Sequence, residues 1–288
     1  MKIGAHVSSS GGVDKAIDRA LEMGAEAIQV FGGSPQTWRR KQFGQPEITA
    51  FRARSEETGI APTFIHGVYL VNLATSVPEN LVKSVDALVH DMKVCHDIGA
   101  KGVIFHLGSH RGSGLEGSMG QIVDSLCLVL ENTPDDTWLI LENSAGMGGS
   151  VGSKFAELGA IVKAVDNQRI MVCLDTQHMF ASGYDVRTRD GLATVLDEFD
   201  REVGLGRLVA VHANDSKCPL AGGVDRHENI GAGHIGREGF ENILSHPAFA
   251  DVPFLLEVPG LDNKGPDKAN VDALKGILAG LPNRARAN

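Results

Sequence analysis

The chain has 288 residues and a formal net charge of −9 at pH 7, and its hydrophobic (42%) and charged (22%) fractions are those of a soluble globular protein. It contains no apolar stretch long enough to span a bilayer and no amino-terminal signal pattern, so we expect a cytoplasmic protein that does not contact a membrane. The four cysteines are scattered and form no C-x-x-C pair, which argues against a disulfide framework and against a thiolate zinc site.

Strand-like and helix-like segments alternate along the whole chain. Eight short apolar runs predict strands, which begin near Lys2, Ala27, Thr63, Gly102, Thr137, Ile170, Arg207 and Pro253. Amphipathic stretches between them predict helices, for example over Val13 to Met23, Glu79 to Ile98, Gly120 to Asn132 and Gly191 to Val203. Eight βα units of this size, with no linker between them, predict an α/β protein with one domain over residues 1–288, a (β/α)₈ TIM barrel.

An open doubly wound sheet is the alternative architecture. That fold usually carries a glycine-rich G-x-G-x-x-G turn after its first strand. Here the first strand is followed by Ser8-Ser9-Ser10-Gly11-Gly12, which does not match. We interpret this segment as a turn in which Ser10 or a neighbour caps the next helix, and we favour the barrel.

Six predicted strands end on a residue that can bind a metal: His66, His106, Glu142, Asp175, His212 and Glu257. Two loops add close pairs, in Asp175-Thr176-Gln177-His178 and in Asp225-Arg226-His227. In a TIM barrel the carboxyl ends of the strands form the active face, so these residues converge there. Five histidines and four carboxylates, at three or four ligands per ion with one carboxylate shared, suit about three metal ions.

Each of these residues also has a purely structural interpretation. A single histidine at a strand end is more often hydrogen-bonded than metal-bound, Glu142 could accept bonds from nearby amides, and Asp175 could cap a helix. The agreement of six strands favours the metal centre, because core histidines have no reason to gather at one end. Five other histidines lie in helical or loop settings without such partners, namely His90, His96, His110, His234 and His246, whereas His6 is assigned to the rim or to the support of a ligand.

The donor set also bears on which metals and partners are expected. Imidazole and carboxylate groups together suit zinc, and manganese or iron(II) also bind such a set, whereas magnesium and calcium prefer oxygen ligands. A net charge of −9 is unusual for a nucleic-acid-binding protein. Three divalent ions would bring six positive charges to one face of the barrel, however, so net charge does not decide whether DNA is a partner.

The chain resembles the endonuclease IV family of apurinic/apyrimidinic (AP) endonucleases, which are xylose isomerase-like TIM barrels. The matching segments occur in family order over nearly the whole chain: Gly4-Ala5-His6-Val7-Ser8, Leu141-Glu142-Asn143, Asp175-Thr176-Gln177-His178, Gly183-Tyr184-Asp185, His212-Ala213-Asn214-Asp215-Ser216-Lys217, Asp225-Arg226-His227 and Ile230-Gly231-Ala232-Gly233-His234-Ile235-Gly236. The resemblance implies three zinc ions. It assigns His66 and His106 to the first, with Glu142 bridging to the second; Asp175, His212 and Glu257 to the second; and His178, Asp225 and His227 to the third.

The resemblance further implies a monomeric DNA repair enzyme. The family cleaves double-stranded DNA on the 5′ side of an abasic site, leaves a 3′-hydroxyl, and removes blocking groups from damaged 3′ ends. A hydroxide between two divalent ions is available near neutral pH and can attack phosphorus, and a third ion can stabilise the leaving 3′-oxygen. The bridging Glu142 is therefore the expected catalytic residue.

DNA contacts are predicted in three loops. Tyr69 and Leu70 match the position of the family's wedge into the duplex, although a tyrosine packed on the barrel rim is the structural alternative. Trp38 and Arg39, beside two further cations, and Arg226 are the other expected contacts. The chain departs from a comparable family member at Gln36, where that protein has arginine, and at Gly222-Gly223, where it has Ser-Arg. These losses of charge should weaken phosphate binding and its salt dependence.

Two rival functions follow from the same residues. A sugar isomerase or epimerase of the related barrels needs only a single metal, held by Glu142, Asp175, His212 and Glu257, and leaves the other five ligands without a purpose. A damage-binding protein without catalysis does not need a bridged metal pair. The carboxyl-terminal segment, 284–288, is expected to be a frayed end without a role.

Overall fold

The structure is a computed structural model that describes residues 1–282. The strands in this part of the chain are β1 (Ile3–His6), β2 (Ile28–Phe31), β3 (Thr63–His66), β4 (Gly102–His106), β5 (Trp138–Glu142), β6 (Ile170–Asp175), β7 (Leu208–His212), β8 (Asp215–Ser216), β9 (His227–Glu228) and β10 (Phe254–Leu256). Eight of them are parallel and close a barrel in the order β1-β2-β3-β4-β5-β6-β7-β10, whereas β8 and β9 pair antiparallel in the loop after β7. The predicted TIM barrel is confirmed.

The helices of residues 1–282 lie between the strands: α1 (Lys15–Met23), α2 (Gln45–Thr58), α3 (Pro78–Ile98), α4 (Gly114–Glu131), α5 (Phe155–Val165), α6 (Thr176–Ala181), α7 (Arg189–Glu202), α8 (Gly236–Ser245) and α9 (Lys268–Gly280). The first three end at glycines in the left-handed region, Gly24, Gly59 and Gly99, whose φ angles of 75°, 71° and 74° other residues rarely adopt. Short 3₁₀ segments cover Met147–Gly149, Leu205–Arg207 and Pro247–Phe249.

Two details differ from the sequence-based expectation. Helix α4 begins at Gly114, well before the expected Gly120. Ser10 does not cap α1, whose N-cap is Asp14 without a side-chain cap bond; instead, Ser8 Oγ accepts a hydrogen bond from Ser10 N. The single-domain assignment remains a prediction, and the terminal segment 284–288 lies outside the described residues.

The barrel interior explains where the polar residues gather. Side chains alternate along a strand between the barrel interior and the surrounding helices. Seven buried residues from seven strands form one inner layer: Ala27, Phe64, Ile104, Ile140, Cys173, Ala210 and Leu255. Two residues further along each strand, the same alternation brings the next side chain back to the interior, at the carboxyl end of the barrel. No helix in the described part of the chain is long and apolar enough to cross a membrane.

Candidate metal centre

The side chains two positions beyond the inner layer form what we call the inner ring, which comprises Gln29, His66, His106, Glu142, Asp175, His212 and Glu257, with His6 from β1 beside them. Neighbouring strands bring ring members side by side, since His106 pairs with Glu142 and Asp175 with His212 in the sheet register. Most ring members are buried, and Glu142, Asp175 and His212 have no exposed surface. Six of the eight are the strand-end ligands expected from the sequence.

The ring and the loops beyond it contain three groups of side chains whose ligand atoms could share an ion. The first is His66, His106 and Glu142, and the second is Glu142, Asp175, His212 and Glu257. The third is Asp175, His178 and His227, and Asp225 Oδ1 lies 3.3 Å from His178 Nε2 and 3.2 Å from His227 Nε2. Glu142 belongs to two groups, and so does Asp175. The structure thus brings all nine expected ligands together.

Four of the histidines present one ring nitrogen to the carboxylates and fix the other on an oxygen. His66 Nδ1 lies 2.7 Å from the carbonyl oxygen of Gly67, His178 Nδ1 3.0 Å from that of Asn143, and His227 Nδ1 3.2 Å from that of Glu257. His212 differs, because its Nε2 faces a side-chain oxygen, Gln29 Oε1, at 2.8 Å. A metal-binding histidine characteristically donates its second N–H to an oxygen in this way.

The distances between ligand atoms test whether an ion fits. Ligands about 2.0 Å from a tetrahedral ion lie about 3.3 Å from one another. Glu142 Oε2 is 3.3 Å from His66 Nε2 and 3.4 Å from His106 Nε2, and His212 Nδ1 is 3.3 Å from Glu257 Oε2. These separations, and those around Asp225, are longer than the usual hydrogen bond to a carboxylate and match the edge of such a tetrahedron.

Buried nitrogen atoms without a hydrogen-bond partner also indicate that a cation fits this centre. The Nε2 atoms of His178 and His227 are buried and lack a hydrogen bond of good geometry within residues 1–282. Buried polar atoms are normally satisfied, so an orphaned pair that faces one carboxylate indicates a missing partner. A cation fits this place, and the mixed imidazole and carboxylate donors suit zinc, manganese or iron(II).

The electrostatics of the centre favour charged carboxylates. Burial opposes the charge on Glu142, but His106 and His212 outweigh burial and hold its pKa well below its usual range. Burial likewise opposes ionisation of Asp225, but the adjacent imidazoles of His178 and His227 outweigh burial and bring its pKa far below normal. Burial lowers the pKa of His227, but the Asp225 carboxylate beside it outweighs burial and raises that pKa to about 9. The carboxylates are therefore ready to bind cations, and protons compete for the histidines.

Several supporting residues were missed in the sequence analysis. Asn143 Oδ1 accepts a 2.6 Å hydrogen bond from Asp175 N, and Asn214 Nδ2 donates a 2.7 Å bond to Asp175 Oδ2. Asp175 Oδ1 also accepts from His178 N at 2.9 Å, so this residue caps α6, the alternative role considered above, while its other oxygen faces the ligands. The available signals were an asparagine directly after Glu142 and another two residues after His212.

Three of the five expected DNA-binding residues, Trp38, Tyr69 and Leu70, line a cavity of about 500 Å³ beside the centre, whereas Arg39 and Arg226 do not line it. The expected ligands His106, His178 and Asp225 line the same cavity. Tyr69 is 59% exposed although its ring contacts Phe31 and His66, with centroid distances of 5.3 and 5.9 Å. An exposed aromatic ring at the mouth of a polar cavity is placed to contact a ligand.

The basic loop after β2 is only partly available for phosphate contacts. Arg40 Nη1 lies 3.6 Å from the buried Asp91, and Lys41 Nζ lies 2.9 Å from Glu47, so two of the three cations are paired. Arg39 is exposed and has no ion pair or hydrogen bond within the described residues. Arg226 is also exposed, and its guanidinium donates to the carbonyl oxygen of Asp225 at 2.7 Å.

Most histidines outside the nine expected ligands have other partners, and His110 Nδ1 and His246 Nδ1 accept hydrogen bonds from Gly112 N and Ala248 N at 3.1 and 3.3 Å. His90 and His96 were expected to lack partners, but His90 Nδ1 lies 3.2 Å from Asp91 Oδ1 and His96 Nδ1 lies 2.9 Å from Asp136. His6 Nδ1 lies 2.9 Å from Gln29 Nε2 and 3.5 Å from Glu257 Oε1, so His6 contacts a ligand as its assignment anticipated.

Comparisons with known proteins identify the family. A family model described as "Xylose isomerase-like TIM barrel" matches residues 17–278. The chain is 41% identical over 276 residues to the "Probable endonuclease 4" of Halothermothrix orenii, with 96% of this chain and 99% of the relative covered. The chain belongs to the endonuclease IV family. The endonuclease IV family member of Methanoculleus marisnigri is 40% identical over 271 residues, covering 93% of this chain and 96% of the relative.

A solved structure of this endonuclease IV family supports the same conclusion. The crystal structure of endonuclease IV from Thermus thermophilus has a TM-score of 0.86 and 35% identity, and the match covers 97% of this chain and 99% of that chain. A D-tagatose 3-epimerase-like protein has a TM-score of 0.72 at 18% identity, with 97% and 96% covered, which concerns the fold alone. The resemblance stated from the sequence is confirmed. At the level of the family, the protein is a metal-dependent DNA repair endonuclease of the AP endonuclease class.

Proposed function

We propose that this endonuclease IV family member cleaves double-stranded DNA on the 5′ side of abasic sites, leaves a 3′-hydroxyl and removes blocking groups from 3′ ends. The observation that carries the proposal is the convergence of nine ligands in three overlapping groups, in which five separations between ligand atoms of 3.2 to 3.4 Å fit tetrahedral ions. One metal would serve proton transfer on a sugar, whereas a phosphate displacement uses positive charge on both the attacking and the leaving oxygen.

We assign three zinc ions to these groups. His66 and His106 would hold the first ion, Asp175, His212 and Glu257 would hold the second, and Glu142 would serve as a ligand to both. His178, Asp225 and His227 hold the third, and Asp175 Oδ2 lies 3.7 Å from His227 Nε2 and supports this group. When bound, the ions supply a hydroxide nucleophile near neutral pH and positive charge for the phosphate and the departing 3′-oxygen.

The side chains of this chain hold that arrangement in place. Glu142 contacts histidines of all three groups, since its Oε1 lies 2.8 Å from His212 Nδ1 and 3.4 Å from His178 Nδ1 while its Oε2 faces His66 and His106. Its low pKa keeps it charged throughout the working pH range. We therefore assign Glu142 as the catalytic residue that couples the groups, and its removal disturbs every one of them.

The cavity supports a substrate with a missing base. A volume of about 500 Å³ beside the ligands suits an extruded sugar-phosphate unit, and Tyr69 and Leu70 stand at its mouth where a wedge into the duplex would enter. Trp38 lines the same cavity, the exposed Arg39 follows it in the chain, and the exposed Arg226 follows the lining residue Asp225. We assign these five residues as DNA contacts. Gln36 and Gly222-Gly223 supply no positive charge, so phosphate affinity is expected to be modest at physiological salt. We assign a monomer as the active form.

Sugar isomerisation is the second candidate. It is favoured by the second group alone, because Glu142, Asp175, His212 and Glu257 form a complete single-metal site. It leaves unexplained why His178 and His227 present unpartnered nitrogens to Asp225, outside that site.

The deciding experiment is incision of a duplex that carries one synthetic abasic site, with the ends of both fragments mapped. We expect cleavage 5′ to the site and a 3′-hydroxyl, and no cleavage of the intact duplex of the same sequence. A protein that leaves both duplexes uncut, but interconverts ketose epimers, would replace the nuclease assignment with the isomerase one.

A further inference from the structure

Gln29 is the one member of the inner ring that is neither an expected ligand nor a histidine. It lies in β2, two residues after Ala27 of the inner layer, and it is fully buried. A buried glutamine needs hydrogen-bond partners for a carbonyl oxygen and an amino group. Its surroundings therefore show what it does.

The Gln29 carboxamide touches two of the expected ligands. Its Nε2 lies 2.6 Å from Glu257 Oε1 and 2.9 Å from His6 Nδ1, and its Oε1 lies 2.8 Å from His212 Nε2. Both amide hydrogens and the carbonyl oxygen are thus engaged. These three partners meet the hydrogen-bonding needs of the Gln29 amide, and Gln29 Oε1 in turn provides a partner for Nε2 of the buried His212.

These contacts fix the orientation of the amide. A carboxylate accepts hydrogen bonds and cannot donate one, so the amino group of Gln29 must face Glu257. The carbonyl oxygen then faces His212 and requires a hydrogen on Nε2. The remaining nitrogen of His212, Nδ1, points to Glu142 Oε1 at 2.8 Å and to Glu257 Oε2 at 3.3 Å, inside the second ligand group. A cation in that group replaces a proton on Nδ1 and leaves Nε2–H in place.

The second ring nitrogen of His212 is held by a side chain, whereas that of three other histidine ligands is held by the backbone. His66, His178 and His227 each direct Nδ1 to a main-chain carbonyl oxygen, which no substitution removes. His212 uses the opposite nitrogen and the amide of Gln29. Its ligand geometry can therefore be tested by a single substitution.

We propose that Gln29 is a positioning residue of the metal centre: it selects Nδ1 of His212 as the ligand atom and holds Glu257 in its binding orientation. This inference rests on the metal centre of the proposed function. It adds a residue outside the nine ligands, contributed by a strand that supplies none of them. Loss of such an outer partner typically weakens metal binding about 10- to 100-fold.

The test is zinc affinity, measured by competition with a chromophoric chelator, for the wild type, Gln29→Met and the control Val30→Ala. Methionine fills a similar volume without hydrogen bonds to His212 or Glu257. Val30 is the next residue of β2, and it is buried in the core on the helix side of the strand. Its truncation lowers the stability of the metal-free fold without touching a ligand. If Gln29→Met does not fold, Gln29→Leu is the second apolar replacement.

We expect one zinc ion per chain to bind about 10- to 100-fold more weakly in Gln29→Met, while the others and all ions of Val30→Ala bind as in the wild type. Equal affinity of Gln29→Met and the wild type for every ion would overturn this inference and leave the proposed function standing. A wild type that binds no zinc, manganese or iron(II) would overturn both.

Discussion

Replacement of Asp215 by asparagine should destabilise the loop that follows β9, the strand that carries the expected ligand His227. Asp215 is buried in β8, three residues after His212, and its carboxylate accepts hydrogen bonds from the backbone of the loop that follows β9. The donors are the main-chain N–H groups of Gly231 at 3.0 Å, Gly233 at 3.0 Å, Ile235 at 2.9 Å and Gly236 at 3.2 Å. Ser216 N donates to the same group at 2.8 Å.

The size of the effect follows from the number of bonds lost. Gly231 and Gly233 donate to Oδ2, whereas Ser216 and Ile235 donate to Oδ1. Asparagine turns one oxygen into an amino group that faces N–H donors, so at least two bonds to a charged acceptor are lost. At about 1.5 to 3 kcal/mol for each such bond, the free energy of unfolding should fall by about 3 to 6 kcal/mol.

Urea unfolding of the metal-free protein measures this change. Asp267→Asn is a matched control at the partly exposed surface, where Asp267 caps α9 by accepting a bond from Asn270 N at 2.9 Å and also accepts one from Leu261 N at 2.7 Å. Because asparagine caps a helix about as well and water can replace a lost bond there, this substitution should cost only about 1 kcal/mol. The reasoning is refuted if Asp215→Asn loses no more stability than Asp267→Asn.

Three further outcomes are expected. Glu142→Gln should keep the fold and much of the affinity for abasic DNA but slow incision about 1,000-fold or more, and near-normal cleavage would exclude the bridging role. Tyr69→Ala should weaken binding of an abasic duplex about 10-fold, with zinc content unchanged, as measured by fluorescence anisotropy; an unaltered Kd would place Tyr69 among purely structural rim residues. In the chelator-treated protein, burial lowers the pKa of His227 but Asp225 raises it to about 9, from 6.5. Protonated His227 therefore stabilises the fold below pH 6.5, and this contribution is lost as the pH rises through about 9. The Tm of the metal-free protein should fall between pH 7 and 10, and a flat Tm would contradict this linkage.

The sequence was most informative where local patterns and chemistry coincide. The eight barrel strands begin within one residue of their expected positions, because each is a short apolar run bounded by polar residues. Helix α4 was expected to begin at Gly120 rather than Gly114, since Gly114 and Gly117 are poor helix formers that the fold tolerates at the first turn. Local propensity therefore predicted the elements and left some of their ends undefined.

The candidate site likewise contains residues that the sequence predicted and residues that it did not. The ligands at strand ends could be predicted because every second side chain of a barrel strand points to the interior. His66 and Glu142 also carry an imidazole and a carboxylate, which are common metal ligands. Gln29 occupies an equivalent position in β2 but carries an uncharged side chain that signals no metal. The pattern Ala27-x-Gln29, parallel to Phe64-x-His66 in the next strand, was the available clue.

Long-range contacts set the remaining features, which no local pattern reveals. Arg40, one of the two cations beside the expected DNA contact Arg39, lies against Asp91 of α3, a residue about 50 positions away in the sequence. The role of Asp215 likewise depends on a loop that begins after β9 and returns to the end of β7. Such pairings depend on the assembled barrel, so only the structure shows which cations remain free for DNA.

The most direct test of the three-metal nuclease is to load metal-free protein stepwise with zinc and to measure, on the same samples, bound zinc per chain and 5′ incision of an abasic duplex. We predict that about three zinc ions bind per chain and that full incision requires all of them. Saturation at one ion per chain, or full incision with one ion bound, would contradict this prediction.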